Sequence, residues 1–163
     1  MFDKFGEFSS CGEMNTLAEN LFNEGDMKSI RILAKENGIP EEQAEAYIQG
    51  DIPELCDAMT AAIGKLEMEE KELKPKDIME DWTQYIKSQC MENELIAHQV
   101  RKKGKSLKGC IAAILVWSFK NQHAVDKEII SKAGIKAGKV TMGIPGMGNA
   151  KRIIRDYYME AVK

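Results

Sequence analysis

Three features of the sequence predict an all-α fold. Apolar residues recur at spacings of three and four through almost every segment, the period of an amphipathic helix. Ser, Asp or Pro stands before most of these segments and Gly after several, the usual start and stop signals. The 13 glycines and 4 prolines are too few for an all-β chain that turns every ten residues. Hydrophobic residues make up 44% and charged residues 30% of the 163, as in an ordinary globular protein. A chain of this length buries a core without covalent staples. Bulk disorder, collagen-like repeats and a disulfide scaffold are excluded.

The elements follow in order. Ser9 and Ser10 precede a helix with Leu17, Leu21 and Phe22 on one face, ending near Gly25. Asp26 caps a second, with Met27, Ile30, Leu33 and Ala34 inward and Gly38 at its end. Pro40 opens a short third helix with acidic residues in its first turn and Gly50 behind it. Pro53 is expected to open a fourth, carrying Leu55, Met59, Ala62, Ile63 and Leu66 and then turning wholly charged at 67–72. That end reads as solvated, with a Glu67/Lys71 ion pair one turn apart. Pro75 marks a boundary. Ile78, Trp82, Tyr85, Ile86 and Cys90 form a clear amphipathic helix beyond it, and a shorter one holds Leu95, Ile96 and Val100 before Gly104. Ser106 caps the next. Its stretch Cys110–Trp117 is apolar nearly all round and is expected to be the buried central helix. Asp126 caps a helix through Ile129 and Ile130, the segment 139–144 is a loop or short extended piece, and a last helix starts near Asn149. The expected architecture is a compact helical domain around a buried central helix. An acidic N-terminal helical subdomain occupies 1–74 and a basic helical domain 75–163.

No constellation of catalytic residues stands out. Cys11, Cys56, Cys90 and Cys110 lie at least 20 residues apart, so no CxxC pair exists, and they read as reduced core thiols of a cytoplasmic protein. The N-terminus has no basic segment followed by an apolar one, and the longest apolar run is far short of a membrane span. His98 and His123, the two histidines, have no metal-ligand partner within their own segments and read as surface or capping residues. The acidic run at Glu67, Glu69, Glu70, Glu72 and Asp77 lacks the glycine and alternating oxygens of a calcium loop. No enzyme, cofactor or metal is therefore expected.

The charge is divided between the halves. Residues 1–80 hold 8 Lys/Arg against 19 Asp/Glu, whereas 81–163 hold 15 against 7. Within 101–155 the ratio is 13 to 2. Such a stretch attracts phosphate or an acidic protein surface, unless the two halves neutralise each other inside one fold. Its densest part, Arg101, Lys102, Lys103, Lys105 and Lys108, spans a helix end, Gly104 and the next helix start. Capping needs one or two positives there, so the cluster is a candidate contact site. Lys132, Lys136 and Lys139 join it, within a segment Glu128–Val140 that has the outline of a helix-turn-helix with Gly134 at the turn. Against that outline stands Gly138 inside the second helix. The motif GIPGMGNA has no surrounding βαβ unit, and Arg152 and Arg155 break the register of a helix-hairpin-helix, so it reads as a turn and N-cap.

The segment Trp82–Lys132 resembles the PcfK-like family of small proteins carried by conjugative plasmids and other mobile elements. The likeness is carried by YIKSQCMENELIAHQVRKKGKSLKGCIAAI, Tyr85 to Ile114, beside a family run YL-x(5)-A-x-DELFA…KPGKSIDEC…YI. Tyr85, Glu94-Leu95, Ala97, Gly104-Lys105-Ser106, Cys110 and Asp126 stand at the matching places. FGEF at Phe5–Phe8, the ENG at Glu36–Gly38 with AEAYIQG after it, GKL at Gly64–Leu66, KELK at Lys71–Lys74 and the closing Ile153–Tyr158 resemble longer members from gut Firmicutes. Shorter members end in HYYDED-like tails, where this chain has a glycine-containing insertion and YYMEAVK. The family includes inhibitors of the type II RNA-guided CRISPR nuclease. The resemblance thus implies a non-enzymatic anti-CRISPR protein whose partner is that nuclease or its guide RNA complex, with no membrane involved. The alternative is a DNA-binding accessory protein of a conjugative element, contacting DNA or RNA through Arg101–Lys108 and 127–139. An acidic half can mimic phosphate in a positively charged nuclease channel, and a basic half can bind guide or target strands.

Overall fold

The computed structural model describes residues 2–160, so the outermost residues of both expected domains, Met1 and 161–163, lie outside it. The described residues are all-α apart from one two-stranded ribbon. The helices are α1 (Cys11–Asn23), α2 (Met27–Glu36), α3 (Glu41–Gln49), α4 (Ala58–Leu73), α5 (Ile78–Glu92), α6 (Glu94–Arg101), α7 (Leu107–Lys120), α8 (Lys127–Lys132) and α9 (Met147–Met159). Strands β1 (His123–Ala124) and β2 (Thr141–Met142) flank α8 and pair antiparallel, His123 opposite Met142 and Ala124 opposite Thr141. Among the described residues no helix is long and apolar enough to cross a membrane.

Side-chain caps fix where the helices begin. Ser10, Asp26, Asn93, Ser106 and Asp126 each accept a bond from a backbone N–H in the first turn that follows, satisfying donors the helix itself leaves open. The fourth helix departs from expectation. Residues 51–57 form a loop and Asp57, not Pro53, is the cap, accepting from the Thr60 N–H at 2.7 Å. The last helix starts at Met147, two residues before the expected Asn149, with Gly146 as its N-cap.

Two apolar clusters form the core and α4 belongs to both. Met14, Ala18, Ile30, Leu33 and Leu55 pack with Ala61 on one side of it. Leu66 and Ala62 on the other side meet Trp82, Ile86, Val100, Leu107, Cys110, Ile114 and Ile154. The expected boundary at Pro75 lies between α4 and α5, while the apolar clusters adjoin along α4 itself. Where α2 ends on α4, the backbones approach closely. Gly38 (φ +69°) lies against Gly64, and a Cβ on either would overlap the other's backbone.

The central helix is therefore α4 and not α7, which corrects the expectation for Cys110–Trp117. Only Leu107, Cys110 and Ile114 of α7 are buried; Leu115, Val116 and Phe119 are 55%, 54% and 71% exposed. An all-apolar circumference marked hydrophobicity without saying how many neighbours the fold supplies. The acidic end of α4 is corrected in part: Glu67, Lys71 and Glu72 are exposed as expected, and the others are not. Glu69 is buried and accepts from the Leu107 N–H at 2.8 Å, Glu70 pairs with Lys87, and Glu72 with Lys108 at 3.5 Å. These carboxylates dock α5 and α7, and Glu67 makes no ion pair with Lys71 among the described residues.

Candidate nucleic-acid interface

The densest basic cluster folds largely inward. Arg101, the last residue of α6, is 1% exposed, and its guanidinium donates to Asn37 Oδ1 at 2.8 Å. Burial pulls its pKa below the ordinary arginine value. Lys105 is also buried; its ammonium donates to the Tyr157 carbonyl and lies 4.8 Å from the Tyr157 ring centre. The corner is anchored from beneath by Lys65 of α4. Its buried ammonium donates to Glu7 Oε1 at 2.8 Å and to the carbonyls of Lys102 (3.0 Å) and Lys105 (2.6 Å). Burial lowers the Lys65 pKa, and the Glu7 bond opposes that. Arg101 and Lys105 are thus corrected from contact residues to structural ones. Of the other three, Lys102 is half-buried, Lys103 is exposed, and Lys108 is exposed with Glu72 beside it.

The second basic segment is open. Lys132, Lys136 and Lys139 are exposed, as is Lys127, and none has an ion-pair partner among the described residues. The expected helix-turn-helix does not form. Helix α8 spans six residues and ends in a Schellman motif, with Gly134 at φ +67° and the Ile135 N–H bonded to the Ile130 carbonyl at 3.2 Å. The chain then returns without a second helix to β2, and the Val125 N–H closes the ribbon on the Val140 carbonyl at 2.9 Å. The result is an arm over 121–146, rooted where Gly143 lies against the Ser118 carbonyl of α7. Exposed Ile129, Ile135, Met142 and Ile144 lie among its lysines, and exposed Phe119 stands at its root.

Helix α9 adds a third set of cations. Lys151, Arg152 and Arg155 are exposed, with Arg155 held to Asp156 at 2.8 Å. Sequence reasoning used the two arginines only to dismiss a motif and passed over Lys151. Their spacing at i, i+1 and i+4 on a helix was the available signal. Burial drives Cys56, Cys90 and Cys110 up to about 12, so they stay thiols at neutral pH. Burial also raises Cys11, which is half-buried. His98 is partly exposed with Glu94 3.6 Å away, and His123 is exposed on β1.

No protein-family model, curated protein or solved structure matches the chain.

Proposed function

We propose that the protein acts by binding, without turnover, in the cytoplasm, and that its arm over 121–146 contacts the phosphates of a nucleic acid. The supporting observation is the set of exposed lysines at 127, 132, 136 and 139, none of which makes an ion pair among the described residues. Unpaired lysines of this kind release counterions when they meet a phosphate backbone. The exposed isoleucines beside them add apolar contact. The resemblance to PcfK-like proteins makes this an accessory of a mobile genetic element, and a type II nuclease with its guide RNA the leading partner. The strongly acidic N-terminal half then faces basic protein surface while the arm faces nucleic acid.

The test is a pull-down with a type II nuclease, with and without guide RNA, beside a cleavage titration. The reading expects capture of the nuclease and block at about one protein per nuclease, weakened by Lys132→Glu with Lys136→Glu. Block at far lower ratios with permanently altered nuclease or guide contradicts it. The alternative, a DNA-binding accessory of a conjugative element, draws on the same arm. It expects retention of free duplex DNA and no capture of the nuclease.

A further inference from the structure

A cavity of about 310 Å³ opens between α5, α6 and α9. This is the lower end of the range for small-molecule sites, room for one planar ring system and its substituents. Ile86, Ile154 and the ring of Tyr158 give it an apolar floor, Tyr85 an aromatic wall and Gln89 an amide. Lys151, Arg152 and Arg155 stand around it, Arg155 already bonded to Asp156 at 2.8 Å, and no carboxylate is among the described residues that line it. The nearest turn of α9 supplies all three cations, so positive charge gathers on one side of an apolar pocket. Lys151 Nζ lies 5.0 Å from the centre of the Tyr85 ring, so a cation and an aromatic face share one wall.

We propose that this pocket binds a nucleoside monophosphate unit, the base in the apolar part beside Tyr85 and the phosphate against Lys151 and Arg152. The division of the pocket carries the argument. An apolar floor with an aromatic wall takes a flat ring with two hydrophobic faces. Lys151 and Arg152, which have no ion-pair partner among the described residues, select a ligand with concentrated negative charge, and arginine matches phosphate oxygens through its paired N–H groups. The Gln89 amide offers both a donor and an acceptor to a base edge. A simple anion leaves the apolar part wet, and a purely apolar ligand leaves Lys151 and Arg152 unanswered; a nucleotide satisfies both. The same chemistry is presented by a free nucleotide and by one unstacked residue of a single strand. The pocket does not depend on the role of the arm over 121–146.

The experiment is a titration of the full chain, followed by amide NMR and calorimetry, with adenosine monophosphate, uridine monophosphate, adenosine, inorganic phosphate and a short oligothymidylate. The proposal expects a nucleotide to shift resonances of Tyr85, Gln89, Ile154 and Arg155. It should bind at least tenfold more tightly than adenosine or phosphate alone. Tyr85→Ala and the pair Lys151→Glu with Arg152→Ala should each weaken it about tenfold. All three positions are at least partly exposed, so these variants keep the fold, and unchanged amide spectra elsewhere verify it. Lys28→Ala, exposed on α2 and remote from both the pocket and the arm, should leave it unaltered. Tighter binding of the oligonucleotide at the same resonances identifies a residue of a strand as the occupant, and tighter binding of the monophosphate a free nucleotide. Either supports the site. No shifts at these residues with millimolar nucleotide or strand overturn it, as does phosphate binding equally well and indifferently to Tyr85→Ala.

Discussion

The corner at 101–108 and the arm at 121–146 are both rich in lysine, and the fold uses them in opposite ways. At the corner, Arg101 reaches Asn37, Lys105 reaches Tyr157, and Lys65 binds two of the corner's carbonyls from below. In the arm the lysines stand in solvent with no such partners among the described residues. The difference lies in what surrounds each segment. The corner joins α6 to α7 directly above α4, so its long side chains have carbonyls and carboxylates within reach. The arm leaves the body at the end of α7 and packs little against it. Density of charge along the chain thus did not distinguish an internal scaffold from a surface open to partners.

The largest expected effect lies in the corner. Lys65→Ala should lower stability by about 3–5 kcal/mol in urea unfolding, because it strands Glu7 and two carbonyls in place of a paired buried cation. A change under ~1 kcal/mol would show that the corner holds itself. Lys105→Ala should cost about 1–3 kcal/mol through the lost bond to Tyr157. Glu69 offers a pH test. Burial raises its pKa above the ordinary 4.5, outweighing the Leu107 bond that lowers it. The folded state therefore holds that proton more tightly than the unfolded one. The contribution is full below about 4.5 and is lost as pH climbs through the raised value. Glu69→Gln should flatten the stability profile over that window, and an unaltered profile would place the titration elsewhere. The smallest effect concerns Tyr158, whose buried hydroxyl has no hydrogen-bond partner among the described residues. Tyr158→Phe should be neutral or stabilising by up to ~1 kcal/mol in thermal melting; a loss of that size would mean the hydroxyl is satisfied.

Local signals were legible in the sequence and long-range ones were not. The caps at Ser10, Asp26, Ser106 and Asp126, the helices they start and the all-α class all follow from neighbours within a few residues. The fates of Arg101 and Lys105 depend on Asn37 and Tyr157, more than fifty residues away, and no local pattern encodes those pairings. Glu69 was misread for the same reason, since its partner is the Leu107 backbone. The apolar circumference of 110–117 pointed to burial on every side, yet the fold places neighbours on only one face of α7. In the arm, the spacing of Ile129, Ala133 and Ile135 suits a helical pair. Gly134, at φ +67°, instead ends α8, and the chain returns as a ribbon.

The contrast between corner and arm is tested most directly by two charge reversals measured side by side. One carries Lys132→Glu, Lys136→Glu and Lys139→Glu; the other carries Lys102→Glu, Lys103→Glu and Lys105→Glu. Each is melted and titrated with a DNA duplex, a single strand and the guide-loaded nuclease over a range of salt. The arm variant should keep its stability within about 0.5 kcal/mol, as exposed substitutions do. It should lose nucleic-acid affinity, with a salt slope shallower by about 0.9 for each duplex phosphate contact removed. The corner variant should melt markedly lower because Lys105 is buried. An arm variant that binds like the parent at low salt, or that destabilises the fold more than the corner variant does, would contradict the account.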